Sequence, residues 1–184
     1  FYTGDDCVAG YDNNNVVVKN CVLNTACSAL RFGATNALIE KCKIYGPARH
    51  NFRFGLPLED KISGTDAPAP GRRNMLSVFT YYADFIYPIR NLPGNIIIKD
   101  CECENIDRVV NFDYSGHNRW QCNRPLSSLF IENTKIKQVR IPIYLYGDRE
   151  EPVRFEMKNS SVSYEEPVDR LIYACNCAAI ALSD

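Results

Sequence analysis

Val16-Val17-Val18-Lys19-Asn20-Cys21, followed by Leu23, is the stretch that decides the fold, because the same phrase returns along the chain. Each copy has an apolar triplet, two polar residues, a small residue and a further apolar residue two positions later, and the last copy is less regular because Glu156 is at the centre of its triplet. The later copies begin at Ala37, Ile96, Leu129 and Phe155. A unit that recurs every ~20 to 50 residues is the sequence signature of a solenoid.

The apolar triplets are short and rich in Val, Ile and Phe, which favours β-strands over helices. The polar pair and the small residue suit a tight bend between two strands. The chain shows no sustained helical periodicity with caps. The sequence therefore predicts one all-β domain over residues 1–184, a right-handed parallel β-helix of about six rungs. Its handedness follows from the general preference for right-handed parallel connections.

A second repeated phrase keeps nearly the same period as the first. Arg31-Phe32-Gly33 and Arg53-Phe54-Gly55 lie 22 residues apart. Alignment on this period places Asp6, Ser28 and His50 at the start of successive strands, and Arg31 beside Arg53. We therefore expect these residues to form one vertical file on the solenoid.

Composition and length exclude several classes of protein. The net charge of −1 offers no electrostatic footprint for nucleic acid or an anionic membrane, and no apolar run is long enough to span a bilayer. Residues 56–74, with Pro, Gly and charged residues, are expected to be a loop insertion. The chain begins with Phe1 and shows no capping helix, so we expect it to belong to a longer protein. Further rungs or another subunit would then cover the ends of the sheets.

The nine cysteines are expected to be mainly core residues. Cys21, Cys42 and Cys101 occupy the same place in successive copies of the repeat, which predicts a stack of small buried side chains. The spacing does not suit a metal site. A disulfide at Cys27 or Cys122 remains an alternative, so the redox compartment stays open.

The N-terminal segment Gly4-Asp5-Asp6-Cys7-Val8-Ala9 is the sharpest candidate for chemistry. Adjacent rungs lie about 4.8 Å apart, so several charged side chains are expected in one patch. Carboxylates supply acid and base, and cations hold an acidic sugar or orient water. An ordinary turn with solvated ion pairs is the structural alternative. The expected members of the patch are Asp5, Asp6, Arg31, Arg49, His50 and Arg53.

This segment, followed by Asn15-Val16-Val17-Val18-Lys19-Asn20-Cys21, resembles the polygalacturonase-type glycoside hydrolases of the pectin-lyase-like superfamily. The family has a Gly-Asp-Asp-Cys motif before a similar strand. The resemblance implies a right-handed parallel β-helix and an inverting hydrolase with Asp5 and Asp6 in its catalytic site. The stretch 27–33 stands where the family has a Gly-His-Gly motif. The family's Arg-Ile-Lys motif is absent, and Arg49 or Arg53 is the candidate substitute.

Aromatic residues in two loops suit stacking on sugar rings. Tyr81 and Tyr82 belong to the longest insertion between copies, and Trp120 lies in the stretch 117–121. Packing as core or cover is the alternative for each of them. Tyr144 and Tyr146 either extend a groove or form an aromatic ladder, and the ladder is the favoured expectation.

These features together favour a carbohydrate-active domain that hydrolyses an extracellular, cell-surface or periplasmic polysaccharide or oligosaccharide. Paired carboxylates need neither a metal nor an organic cofactor for this reaction. Arg31, Arg49, His50, Arg53, Tyr81, Tyr82 and Trp120 are the expected substrate-binding residues. One alternative is a non-catalytic carbohydrate-binding or scaffold module with an incomplete active site. Another is a polysaccharide lyase, which would need a calcium cluster or a basic residue near the sugar.

Overall fold

The computed structural model describes residues 1–50, 77–84, 86, 88–115 and 118–184. In these ranges the regular structure consists of β-strands, all paired in parallel. The all-β, parallel-strand prediction is confirmed. No helix in the described ranges has the length and apolar character needed to cross a membrane. The predicted loop insertion at 56–74 lies outside the described residues.

The strands pair in three columns, and the long strands β2 and β4 each run from the first column into the second. The first column contains the first parts of β2 (Val8–Lys19) and β4 (Ser28–Glu40), then β6 (Ser77–Tyr81), β9 (Arg108–Asp113), β12 (Ile143–Tyr146) and β15 (Ile172–Cys175). The second column contains the second parts of β2 and β4, then β7 (Gly94–Lys99), β10 (Ser128–Glu132), β13 (Val153–Lys158) and β16 (Cys177–Ser183). The third column contains β1 (Tyr2–Thr3), β3 (Val22–Thr25), β5 (Lys43–Tyr45), β8 (Glu102–Ile106), β11 (Lys135–Val139) and β14 (Ser161–Tyr164).

The copies of the repeat lie in register in the second column. Val17 pairs with Leu38, Leu38 with Ile97, Ile97 with Phe130, and Phe130 with Glu156. These are the central residues of the five triplets, of which the last has Glu156 in place of an apolar residue. The period read from the sequence therefore gives the pairing of this column residue by residue.

The bend after the second column depends on residues that tolerate a left-handed backbone. Asn20, Lys41, Asp100, Asn133 and Asn159 all have φ between 47° and 54°. Asn and Asp adopt this conformation more readily than most residues. Their side chains also bond to one another: Asn159 Nδ2 donates to Asn133 Oδ1 at 3.2 Å, and Asn133 Nδ2 to Asp100 Oδ1 at 3.1 Å.

The residue after each of these positions points inward and forms the predicted stack of small side chains. Cys42 N–H donates to Cys101 Sγ at 3.4 Å, and Cys101 N–H donates to Thr134 Oγ1 at 3.3 Å. Thr134 N–H in turn donates to Ser160 Oγ at 3.0 Å. All nine cysteines lie in the described ranges, and each is a free thiol.

The core between the columns is filled by alternate residues of each strand. Phe32 and Phe79 meet edge to face at 5.6 Å, and Tyr81 and Phe112 do so at 5.4 Å. The prediction that Tyr81 contacts a substrate is wrong, because its side chain is 0% exposed and its hydroxyl donates to the Arg124 carbonyl at 2.7 Å. Tyr81 lies two residues after Phe79 on β6, so strand alternation turns both rings inward.

Candidate functional site

Asp6 lies just before β2 in the chain, and residues of β4 hold its side chain in place. Ser28 N–H donates to Asp6 Oδ1 at 2.9 Å, and Cys7 N–H donates to the Ser28 carbonyl at 3.1 Å. Asp6 Oδ2 lies 3.3 Å from Arg31 Nη1, and the Asp6 side chain is 6% exposed. The predicted alignment of Asp6 with Ser28 is confirmed, and both oxygens of this carboxylate accept hydrogen bonds.

Asp5 is exposed beside Asp6 and is held through its backbone. The Asp5 carbonyl accepts hydrogen bonds from the hydroxyls of Thr3 and Thr25. Its Oδ1 accepts a hydrogen bond from Asp6 N–H at 2.9 Å. The sequence Asp-Asp therefore places one carboxylate against β4 and the other toward solvent.

The predicted file departs from the sequence alignment at its third position. Ser77, not His50, pairs with Ser28, and Thr80 pairs with Arg31. The hydroxyl of Thr80 bonds to those of Ser28 at 2.7 Å and Ser77 at 2.5 Å. The strand that pairs with β4 on this side of the first column is therefore β6, which begins at Ser77. The expected partner of Arg31, Arg53, lies outside the described residues.

Arg49 and His50 follow β5 in the chain, and Arg49 lies beside β1, the first strand of the third column. Arg49 N–H donates to Asn24 Oδ1 at 2.7 Å, and its guanidinium lies 5.1 Å from the centre of the Tyr2 ring. The structure does not bring either residue into the cleft that contains Asp5 and Asp6. That these two residues bind substrate together with the carboxylates stays a prediction.

Arg31, Tyr82 and Trp120 form an aromatic and cationic cluster next to Asp6. The Arg31 guanidinium lies 3.9 Å from the centre of the Tyr82 ring and 5.5 Å from that of Trp120. The two rings are 6.0 Å apart and tilted by 35°. Such contacts hold Arg31 in place through cation–π attraction. The structure thus brings together three of the predicted substrate-binding residues.

Trp120 is held over the first column by a loop that is tied to two strands. Ala83 N–H donates to the Trp120 carbonyl at 2.8 Å. The buried Gln121 accepts a hydrogen bond from Asp113 N–H at 2.6 Å and donates to the Asn111 carbonyl at 3.0 Å. Trp120 therefore has a defined position although it lies in a loop. His117, in the same stretch, lies outside the described residues.

These residues surround an open cleft of about 350 Å³, here called the acidic cleft. Its lining consists of Asp5, Asp6, Cys27, Ser28, Arg31, Thr80, Asn111, Asn118, Trp120 and Gln121.

The sequence reasoning missed the polar residues Thr80, Asn111, Asn118 and Gln121. One signal could have found Thr80, namely that Ser28-x-Leu30-x-Phe32 matches Ser77-x-Phe79-x-Tyr81 in its hydroxyl and alternating apolar residues. That match aligns Arg31 with Thr80, whereas the Arg-Phe-Gly match aligns Arg31 with Arg53.

A second cleft of about 520 Å³, here called the tyrosine cleft, continues along the same column. It shares Asn111 and Asn118 with the acidic cleft and is also lined by Arg108, Asp113, Tyr144 and Tyr146. Tyr144 stacks on Tyr173 at 4.6 Å with ring planes 6° apart, so Tyr144 has an aromatic neighbour on the next strand that the sequence analysis did not name. Tyr144 also lines the cleft. We call the two clefts together the groove.

Asp5, Asp6 and Cys27 each offer an atom within 4.8 Å of the others, which is close enough to share a cation. Burial, followed by the nearby charge of Asp6, raises the pKa of the Cys27 thiol to about 12. The thiol is therefore protonated at neutral pH, whereas a metal ligand or nucleophile must be the thiolate. Cys27 therefore lines the acidic cleft but is not expected to react or to bind a metal.

Comparison of this chain with protein-family models, with curated proteins and with solved structures found no match.

Proposed function

We propose that the chain is a carbohydrate-active domain that hydrolyses glycosidic bonds of an extracellular polysaccharide, with Asp5 and Asp6 as its acid and base. Its three columns of parallel strands, with one strand from each copy of the repeat, support the finer architecture of a right-handed parallel β-helix. The distant resemblance to polygalacturonase-type hydrolases supports the same architecture.

The observation that carries the proposal is the shared lining of the acidic cleft. Two carboxylates, Asp5 and Asp6, open into the same space as Arg31 and the exposed ring of Trp120. Aromatic faces stack on sugar rings, while amides and charged groups bond to hydroxyls. A sugar bound to such a surface would lie next to the carboxylates, and solvent water can reach them because the cleft is open.

The chemistry assigns different roles to the two carboxylates. Asp6, whose oxygens both accept hydrogen bonds, suits the base that takes a proton from the attacking water. The exposed Asp5 suits the acid that gives a proton to the leaving oxygen as the glycosidic bond breaks. The water oxygen forms the new bond to the anomeric carbon, so one proton is taken up and one is released by the pair.

A second candidate, a non-catalytic carbohydrate-binding module, is favoured by the spacing of the carboxylates. An oxygen of Asp5 and one of Asp6 lie within 4.8 Å of each other. Inverting hydrolases separate their carboxyl groups by about 6.5–9.5 Å, so that water fits between base and sugar. Inversion at this site therefore requires the exposed Asp5 to swing away from Asp6, which its single side-chain hydrogen bond permits.

The deciding experiment is an assay of reducing ends on pectic and neutral polysaccharides. The variants are Asp5→Asn and Asp6→Asn, with Asp100→Asn as the matched control, because Asp100 is an exposed carboxylate in a bend outside the groove. We expect the wild type and the control to release reducing ends, and each active-site variant to be slower by about 10²–10⁴-fold.

Other results would change the assignment. Saturable binding without release of reducing ends would favour the module. Unsaturated product ends, detected by ultraviolet absorbance, would indicate a lyase. Full activity in both variants would remove Asp5 and Asp6 from the mechanism.

A further inference from the structure

The charged residues that line the groove give no excess of positive charge. Asp5, Asp6 and Asp113 supply three carboxylates, and Arg31 and Arg108 supply two guanidinium groups. Arg119 stands beside the groove with its guanidinium 4.5 Å from the Trp120 ring, which makes the count even. A site for a polyanion collects an excess of positive charge, which attracts the ligand and steers it. No such excess exists among the described lining residues.

The Arg31 guanidinium already interacts with two neighbouring side chains, Asp6 and Tyr82. It pairs with Asp6 at 3.3 Å, and the Tyr82 ring covers its guanidinium at 3.9 Å. A sugar carboxylate that approached Arg31 would therefore meet Asp6 at the same point, and it would have to displace an existing ion pair.

The remaining polar groups suit hydroxyls. Asn111, shared by the two clefts, carries an amide that makes no side-chain hydrogen bond within the described part of the chain. An amide both donates and accepts, as a hydroxyl does. Arg108 and Asp113 both line the tyrosine cleft, so a guanidinium group that donates and a carboxylate that accepts lie around the same space.

The groove is long as well as neutral. Arg31, Thr80, Asn111 and Tyr144 line the groove and are register neighbours on four successive strands of the first column. Three strand spacings of about 4.8 Å give a length of roughly 14 Å from Arg31 to Tyr144, which suits an oligosaccharide rather than a single sugar.

Aromatic rings stand at both ends of the groove. Trp120 lies at one end, and the exposed ring of Tyr146 lines the other end without an aromatic or cationic neighbour among the described residues. A ligand that contacts both rings must pass across Asn111 and Asn118, which line both clefts.

We propose that the groove binds a neutral oligosaccharide that spans both clefts, rather than an acidic polysaccharide. This rests on the proposed carbohydrate-binding function of the groove and names its substrate class. It also departs from the acidic substrates that polygalacturonase-type hydrolases take.

The test is calorimetric titration of the whole chain. The neutral probes are cellohexaose, xylohexaose and mannohexaose together with their disaccharides, and the acidic probe is hexagalacturonate. We expect at least one neutral hexasaccharide to bind more tightly than its disaccharide and than hexagalacturonate. Its affinity should be nearly the same at low and high salt, because no net charge is neutralised.

Two tyrosine variants locate the ligand. Tyr146→Ala removes a ring that is 42% exposed in the tyrosine cleft, and Tyr2→Ala removes one that is 44% exposed in the third column. We expect Tyr146→Ala to weaken hexasaccharide binding about tenfold and disaccharide binding much less, and Tyr2→Ala to change neither. Circular dichroism of each variant checks that it is folded.

Tighter binding of hexagalacturonate, with an affinity that falls as salt rises, would overturn the neutral class and leave the carbohydrate function standing. Equal hexasaccharide affinity of wild type and Tyr146→Ala would overturn the span across both clefts. Failure of every oligosaccharide to bind would remove the proposed function itself.

Discussion

The outward faces of the first and second columns differ although both columns share the same parallel pairing. In the second column, the register neighbours match one another: the apolar Val17, Leu38 and Ile97 stack, and Lys19, Glu40 and Lys99 form ion pairs at 2.7 and 3.1 Å. In the first column, the register neighbours Arg31 and Thr80 do not pair with each other in this way. Matched side chains satisfy each other, whereas unmatched ones leave hydrogen-bonding groups for a ligand.

The connections between strands explain why the site lies on the first column. The second column joins the third through a bend of two residues, as at Asn20 and Cys21. The first-column strands β6 and β9 are followed instead by the longer stretches 82–93 and 114–127. The second of these stretches carries Trp120 over the sheet. The cleft thus lies where the connection between parallel strands is long, and insertions in repeat folds likewise gather on one face.

The largest expected effects test whether the two columns are equivalent on their inward faces. Phe79 in the first column and Phe155 in the second are both 0% exposed. Phe79→Ala and Phe155→Ala should each lower the free energy of unfolding by about 3–5 kcal/mol, because each leaves a cavity in the core. Urea denaturation measures this.

The matched control is Val17→Ala, at an outward position that is 61% exposed, where the change should stay within about 0.5 kcal/mol. A much smaller loss for one phenylalanine than for the other would show that the two inward faces are not equivalent.

A smaller effect distinguishes the acidic cleft from the tyrosine cleft. A Cβ at Gly33 would lie 2.5 Å from the Tyr82 carbonyl oxygen, and one at Gly147 would lie 2.3 Å from that of Asn176. Gly33→Ala and Gly147→Ala should each cost about 1–3 kcal/mol of unfolding free energy, since backbone must shift in both.

Only Gly33→Ala should also change the fluorescence of Trp120, the single tryptophan, because its ring lies 6.0 Å from that of Tyr82. Equal fluorescence changes in both variants would mean that a backbone shift beside the tyrosine cleft also moves Trp120 in the acidic cleft.

The sequence predicted the second column better than the first, and the reason is physical. The bends at Asn20 and Asn133 require a left-handed residue followed by a small one, so the pattern has to recur wherever the chain turns. The first column has no such requirement on its outward face. Its register depends on where the chain returns after an insertion, and the spacing of the repeat does not predict that Ser77 pairs with Ser28.

The same distinction applies to the candidate residues of the groove. Asp5 and Asp6 were predicted from a local motif, and Asp6 does align with Ser28 as expected. Tyr81 was misplaced because a tyrosine pair does not say which ring faces inward. Asn111 was missed because its contact with the acidic cleft depends on two insertions that come before it in the chain.

The smallest expected effect concerns Glu40 and its ion pairs on the outward face of the second column. Hydrogen bonds and attraction from Lys19 and then Lys99 lower the pKa of Glu40 from 4.5 to about 2. A carboxyl group whose pKa is lower in the folded state stabilises the fold above its unfolded value. That stabilisation is lost as the pH falls through about 2. The stability difference between wild type and Glu40→Gln should therefore be small and constant above about pH 4.5.

This difference should shrink as the pH is lowered from 4.5 toward 2, and it should shrink in high salt at neutral pH because the pairs lie at the surface. Thermal unfolding of both proteins across this pH range measures it. Substrate binding should be the same for both proteins, since Glu40 does not line the groove. A difference that grew on acidification, or a Glu40→Gln variant with altered binding, would mean that the second column does more than stabilise the sheet.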